Sequence, residues 1–176
     1  MDALVSSDNY FLTMGVGVSK AIRAAGGPEV PQEASSFVPA RPGRVVVTAG
    51  GKLPARFVFH AVTIGSLNSQ QVMTKHMDSL SRSAGPHWRG PRESFFVKAL
   101  QDKWVVPSRD LIAELLTSCF YHADSLYVQS IAFPLLGTGA AGLSKDICLD
   151  TMFQYLARML LRGLTCVREA RIVLYE

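Results

Sequence analysis

Long apolar runs and cysteines are both scarce in this chain of 176 residues. No apolar stretch approaches the roughly 20 residues that a helix needs to cross a bilayer, so the sequence predicts no membrane association. The first residues carry an acid, Asp2, and no basic segment, which gives no sign of a signal peptide. The three cysteines, Cys119, Cys148 and Cys166, are widely spaced and odd in number. This pattern favours reduced thiols in a cytoplasmic protein over a disulfide framework or a zinc site.

Clusters of charge are also missing. The chain has 18 Lys and Arg against 14 Asp and Glu, a formal net charge of +4, and the basic residues are scattered. Scattering argues against a basic patch dedicated to nucleic acid. A mild positive field would help to attract an anionic ligand, although charge alone favours an ordinary surface with a slight basic bias. None of the four histidines has metal-ligand spacing to another ligand, so we predict no metal site.

The chain is rich in apolar residues, at 48%, which predicts a single globular domain over residues 1–176. Apolar and β-branched runs predict strands at 3–6, 44–49, 55–62, 128–133 and 170–175. Helical spacing predicts helices at 16–25, after an N-cap at Ser108 and after an N-cap at Ser144. Residues 28–42 are rich in Pro, Ser and Ala and predict a loop.

This alternation of strands and helices indicates an α/β protein. We predict a three-layer α/β/α sandwich with a mixed, mostly parallel sheet and helices on both faces. Residues 65–107 interrupt the alternation, because they are more polar and contain two Gly-Pro pairs. We interpret this stretch as an insertion or lid, with short helices near residues 72–80 and 95–100.

Two glycine-bearing loops, at residues 15–17 and 137–142, each follow a strand and precede a helix. Ligands of open α/β sheets bind beyond the carboxyl ends of the strands, so the two loops could lie side by side there. Loops of this kind present backbone N–H groups in front of a helix N-terminus. That arrangement is suited to a diphosphate without strongly cationic side chains.

Two common phosphate-binding motifs fit poorly. In a dinucleotide-binding fold the first glycine directly follows the strand, whereas Gly15 lies nine positions after Ser6, and no suitably placed acid follows. The second loop, GTGAAGLS, has no lysine in the position that a Walker-type loop requires.

The stretch DALVSSDNYFLTMGVGVSKAIRAAGG resembles the signature of macrodomains, the ADP-ribose-binding modules. In that family an Asp-Ala strand runs into Asn-Ala-Ala-Asn, a glycine-rich turn and a helix that ends in Ala-Gly. VVVTAGGKLPARFVFHAVT and SIAFPLLGTGAAGL resemble later pieces of the family pattern in the same order. The likeness covers residues 2–64 and 108–175. It implies a domain that binds ADP-ribose, with no further cofactor, through two phosphate loops.

The resemblance assigns the binding residues one by one. Asn9 matches the asparagine that holds the distal ribose, and an amide can both donate to and accept from vicinal hydroxyls; the alternative is a turn residue that caps its own loop. His60 matches a family histidine, and we interpret it as a core residue. The remaining binding positions are those of the two loops: Gly15, Val16, Gly17, Val18, Gly137, Thr138, Gly139, Ala140, Ala141 and Gly142.

The departures from the pattern concern catalysis. Hydrolytic members have an aspartate directly after the valine of the glycine turn, and here that position is Ser19. In a second catalytic style an upstream lysine pairs with an aspartate in the second loop; Lys20 is near the first loop, but Ala140 and Ala141 occupy the second. Asp8 replaces a family alanine and is the carboxylate left in the first motif.

Three functions therefore stay open. The first is binding of ADP-ribose, free or attached to protein or nucleic acid. The second is an ADP-ribosyl hydrolase in which Asn9 places the ribose and Asp8 supplies charge for a substrate-assisted attack of water. The third is a scaffold that binds no ligand. The family usually has two strands before the Asp-Ala strand, and this chain begins after them. We therefore expect an exposed sheet edge that pairs with a second copy or a partner domain.

Overall fold

The computed structural model describes residues 1–66 and 104–174. Within them lie six strands: β1 (Ala3–Asn9), β2 (Val45–Ala49), β3 (Phe57–Ser66), β4 (Trp104–Val105), β5 (Ser130–Phe133) and β6 (Glu169–Ile172). The helices are α1 (Gly17–Gly26), α2 (Glu29–Ala34), α3 (Arg109–Ser125) and α4 (Lys145–Arg162), with a short 3₁₀ turn at Ser35–Phe37.

The main sheet has the strand order β2-β3-β1-β5-β6. Strands β3, β1, β5 and β6 are parallel, and β2 pairs antiparallel with β3. The short strand β4 also pairs antiparallel with β3, near its carboxyl end. The prediction of a mixed, mostly parallel sheet is confirmed.

Helices cover both faces of the sheet, which confirms the three-layer arrangement. On one face α3 and α4 pack on the strands through a large core that includes Phe59, Phe120 and Met152. On the other face α1 and α2 pack through Ile22 and Val30. Alternation along each strand sends successive side chains to opposite faces, so neighbours in sequence belong to different cores.

The predicted loop at residues 28–42 is wrong for its first part, because α2 and the 3₁₀ turn occupy residues 29–37. The prediction missed this helix because its segment contains two prolines, which are usually typical of a loop. Pro28 stands at the N-cap and Pro31 in the first turn, where a missing N–H removes no intrahelical hydrogen bond. Val30 and Ala34, four residues apart, are buried against the sheet.

Strand β1 runs to Asn9, three residues beyond the predicted strand. The sequence obscured its second half because Ser6, Ser7 and Asp8 are polar. Ser6 and Asp8 are nevertheless buried, and β1 stays paired with β3 along its length. The predicted insertion or lid at 65–107, with its two short helices, falls mainly on residues 67–103, outside the described residues.

The last strand, β6, pairs with β5, and no other described strand pairs with it. Large apolar side chains near this edge are exposed, among them Leu161, Leu164 and Leu174. The pairing of this edge with a second copy or a partner domain stays a prediction. Over the described residues, no helix is long and apolar enough to cross a membrane.

Candidate functional site

The first glycine loop starts where β1 ends. Asn9 closes it: Oδ1 of Asn9 accepts hydrogen bonds from the backbone N–H groups of Phe11, at 3.1 Å, and Thr13, at 3.3 Å. Nδ2 of Asn9 donates to Oγ1 of Thr13, at 2.9 Å. The structure therefore gives Asn9 the turn-capping contacts of the alternative interpretation. An amide nitrogen has two N–H groups, so one donor of Asn9 is still open to a ligand.

This loop has an unusual backbone, held by buried side chains. Leu12 and Met14 have positive φ angles, of 50° and 47°, in the left-handed region that branched or bulky residues seldom adopt. Both side chains are buried, and Met14 packs with Ile22 and Val58. Strain of this kind persists only where the surroundings fix the conformation. The buried side chains of Leu12 and Met14 therefore hold the loop in this conformation.

Helix α1 begins directly after this loop, and its N-terminus is open. The N-cap is Val16, whose side chain forms no capping hydrogen bond. The first N–H groups of a helix have no intrahelical partner and carry the positive end of the helix dipole. Ser19 is 4% exposed and its hydroxyl donates to the carbonyl of Val16 at 2.8 Å. The residue at the usual catalytic position is therefore turned into the fold.

The second glycine loop follows β5 and is stabilised by its own backbone. The N–H of Gly142 donates to the carbonyl of Gly139, and that of Leu143 donates to the carbonyl of Gly137, both at 3.0 Å. The hydroxyl of Thr138 donates to the carbonyl of Leu135 at 3.1 Å, so it is engaged within the loop. Gly139 has open space around the position that a Cβ would occupy.

Helix α4 follows the second loop and also has an open N-terminus. Ser144 stands at the N-cap, as predicted, but its side chain makes no capping hydrogen bond. By contrast, Ser108 caps α3 by accepting from the N–H of Leu111 at 3.2 Å. Of these three helices, the two that follow glycine loops therefore lack a side-chain cap.

Two side chains and two backbone groups connect the second loop to β1, the strand that leads into the first loop. The N–H of Gly137 donates to Oγ of Ser7 at 3.2 Å, and Oγ of Ser7 lies 3.2 Å from Oγ1 of Thr63. Oγ1 of Thr63 in turn donates to the carbonyl of Asp8 at 3.2 Å. This chain fixes the start of the second loop to the end of β1. Sequence reasoning missed it, although hydroxyl residues at the ends of two apolar strands were a signal.

The predicted catalytic residue Asp8 lies in the interior. Asp8 is 3% exposed, and its Oδ2 lies 2.9 Å from Nδ1 of the buried His60. Nε2 of His60 lies 3.0 Å from Oγ1 of Thr48, so both ring nitrogens are used, as a core histidine requires. Oδ1 of Asp8 has no hydrogen-bond partner among the described residues. The carboxylate holds an imidazole here and does not face solvent.

The pKa values of all three thiols are raised. Burial raises the pKa of Cys119 far above its ordinary value and that of Cys148 to about 11. Burial, followed by the Asp124 carboxylate beside it, raises the pKa of Cys166. Because the thiolate is the form that attacks a substrate or binds a metal, a raised pKa makes these thiols poorer nucleophiles and poorer metal ligands. Across residues 1–66 and 104–174, no group of three or more His, Cys, Asp and Glu could hold a metal ion.

This chain is similar to known proteins in sequence and in fold. The family model described as Macro domain matches residues 5–84, which include the first loop. A macro domain-containing protein of Ralstonia nicotianae is 30% identical over 183 residues, which span 99% of this chain and 84% of that protein. The chain belongs to the macro domain family.

Two further relatives fit this membership. An O-acetyl-ADP-ribose deacetylase of an Enterobacter species is 27% identical to this macro domain over 187 residues, 100% of this chain and 84% of that protein. A Trypanosoma brucei macrodomain solved in complex with ADP-ribose superposes with a TM-score of 0.72 at 20% identity. That superposition covers 99% of this chain and 58% of the other, and it confirms the fold.

Proposed function

We propose that this macro domain binds ADP-ribose, either free or attached to a protein or nucleic acid. One observation carries the proposal. Two glycine loops, each leading into a helix N-terminus without a side-chain cap, follow the adjacent parallel strands β1 and β5, and Ser7 of β1 accepts a hydrogen bond from Gly137 at the start of the second loop. The family membership supports the same ligand, because a related macrodomain has been solved with ADP-ribose.

The chemistry of the two loops suits a diphosphate. Free amides at the starts of α1 and α4 would donate to phosphate oxygens, and both helix dipoles would favour the negative charge. The remaining donor of Asn9 would bind a hydroxyl of the distal ribose. Gly15, Val16, Gly17 and Val18 would form one side of the cradle. Residues 137–142 would form the other side, where open space at Gly139 lets a ligand approach the backbone.

Binding without hydrolysis is the form that we favour. The carboxylate of Asp8 contacts His60 inside the fold, and the hydroxyl of Ser19 contacts the carbonyl of Val16. Neither group is positioned to orient a water molecule beside a ribose, and general base catalysis needs hydrogen-bond reach. The three described cysteines are free thiols, which supports the predicted cytoplasmic location as part of this proposal.

Calorimetric titration with ADP-ribose tests the proposal. The wild-type protein should bind, and Gly139→Val should lose at least about tenfold in affinity, because the new side chain enters the ligand space without meeting protein atoms. Gly163→Asn is the matched control: this glycine lies at the other end of α4 in a left-handed conformation that Asn tolerates. Equal affinities in all three proteins would refute the proposed site.

A second measurement separates the functions that were left open. No heat at millimolar ADP-ribose would favour a scaffold that binds no ligand. Release of ADP-ribose from a mono-ADP-ribosylated protein during incubation would favour a hydrolase. We expect binding without release.

A further inference from the structure

A cleft of about 670 Å³ opens between α1 and α2, beside the first glycine loop. Gly15 lines one end of it, Lys20 and Arg23 line the α1 side, and Pro28, Pro31 and Gln32 line the α2 side. The ADP-ribose proposal does not use this cleft. It adjoins the loop in which the diphosphate and ribose would lie, so a group attached to the bound ADP-ribose could enter it.

The two cations of this cleft have no acidic partner among the described residues. Lys20 is exposed and forms no ion pair or side-chain hydrogen bond there. Arg23 donates through Nη1 to the carbonyl of Thr13, at 3.2 Å, which leaves its other N–H groups available. The acid Glu33 on α2 does not line the cleft, because its Oε2 accepts from the N–H of Ala49. Both charged residues that line the cleft are therefore positive, whereas the carboxylate of Glu29 lies at its edge, beside Gly27.

We propose that this cleft binds an acidic peptide segment next to the ADP-ribosylated residue of a target protein. The proposal rests on the proposed function, because the ADP-ribosyl group would anchor the target at the adjoining loop. Lys20 and Arg23 are three residues apart on a helix, so their Cβ atoms are about 5–6 Å apart. Carboxylates two residues apart on an extended peptide are about 7 Å apart, a spacing that these long side chains match.

The lining of the cleft favours a peptide over a nucleic acid. It has two cations but no aromatic side chain on which a base could stack. Nucleic-acid sites neutralise several phosphates in succession. Here the exposed acid Glu29 follows Pro28 directly, and it would repel a continuing polyanion. Pro28 and Pro31 provide an apolar wall for the aliphatic parts of the side chains of a short peptide.

The main comparison uses three ligands and three proteins. The ligands are free ADP-ribose, a mono-ADP-ribosylated peptide with Glu at two flanking positions, and the same conjugate with Gln there. The proteins are the wild type, Lys20→Glu, and Arg158→Glu as a control on the exposed surface of α4. At low ionic strength the wild type should bind the Glu conjugate about fivefold more tightly than the Gln conjugate, as expected for two exposed ion pairs.

Lys20→Glu should abolish or reverse this preference while free ADP-ribose still binds with at most a small loss of affinity, whereas Arg158→Glu should keep the preference. Arg23→Lys, which keeps the charge, should also keep it. The preference should shrink in about 0.5 M salt because exposed charges are screened.

Equal affinity for the Glu and Gln conjugates, with ADP-ribose still bound, would overturn the cleft proposal alone. Tighter binding of an ADP-ribosylated oligonucleotide than of the Glu conjugate, lost in Lys20→Glu, would overturn the choice of a peptide. If ADP-ribose does not bind, the proposed function fails, and unmodified Glu and Gln peptides then test the cleft. If the wild type prefers the Glu peptide and Lys20→Glu does not, the cleft proposal is supported. If the wild type shows no preference, the cleft proposal is overturned.

Discussion

The Oδ2 atom of Asp8 lies 2.9 Å from Nδ1 of His60, and both residues are buried between the sheet and the layer of α1 and α2. They lie on neighbouring strands, β1 and β3. With Thr48 on Nε2, the imidazole has a hydrogen-bond partner at each ring nitrogen. This contact makes Asp8 part of the framework beneath the first loop.

Replacing Asp8 should therefore affect stability first. Asp8→Ala leaves a buried ring N–H of His60 without an acceptor, and we expect a loss of about 1–3 kcal/mol in the free energy of unfolding. Urea denaturation measures this loss. Asp150→Ala, at an exposed surface pair, should cost less than about 1 kcal/mol. A stable Asp8→Ala protein that has lost a wild-type hydrolytic activity would instead show that Asp8 acts on the substrate.

A pair of adjacent serines tests the connection between the loops. Ser7→Ala removes the acceptor of the Gly137 N–H, so the second loop should become less ordered and the affinity for ADP-ribose should fall about fivefold. Hydrogen exchange of the amides in residues 137–142 should become faster. Ser6→Ala is the control: the Ser6 hydroxyl is buried without a partner among the described residues, so its removal should cost little and leave the affinity unchanged. The same affinity in both variants would contradict the role of Ser7.

Asp2 should give the stability a dependence on acid pH. Its Oδ2 accepts hydrogen bonds from the N–H groups of Gln129 and Ser130. The bond from the Gln129 N–H is the main reason that the pKa of Asp2 is below its ordinary value. A carboxyl with a lowered pKa stabilises the fold above the unfolded pKa of about 3.9, and this contribution is lost as the pH falls through the folded pKa.

Urea denaturation between about pH 2.5 and pH 6 measures this dependence, with Asp2→Asn for comparison. We expect the variant to be less stable than the wild type at pH 6 and to converge with it as the pH falls. A constant difference between the two proteins across this range would contradict the assignment.

The thiols should resist alkylation while the protein is folded. Cys119 and Cys148 are buried and their pKa values are raised, so their thiolate fraction is small at pH 8. Cys166 is partly exposed, and we expect it to react first. Mass spectrometry after iodoacetamide treatment, with a urea-unfolded sample for comparison, measures the order. Labelling of Cys119 in the folded protein at the unfolded rate would show that the core opens readily.

The sequence predicted the layers and the loops because they rest on local patterns. Apolar runs indicated the positions of the strands, and glycine before a helix indicated both loops. The prediction stopped β1 at Ser6 because Ser7 and Asp8 are polar. Their partners lie far away in the sequence: Thr63 and Gly137 for Ser7, and His60 for Asp8. The burial of Asp8 depends on His60, 52 residues away, which no local pattern shows. The prolines likewise led the prediction to miss α2. The cleft between α1 and α2 was therefore missed as well.

The position of β1 in the centre of the sheet has a consequence for synthesis. Asp2 at the start of β1 binds Ser130, which lies 128 residues later in the chain. At roughly 5–20 residues per second, a ribosome needs about ten seconds to make that stretch. Throughout this time the central strand β1, whose first three residues are apolar, lacks its partner β5 along one edge. The nascent chain should therefore depend on chaperones more than its size suggests, and a circular permutant that brings β1 and β5 closer in sequence should fold faster.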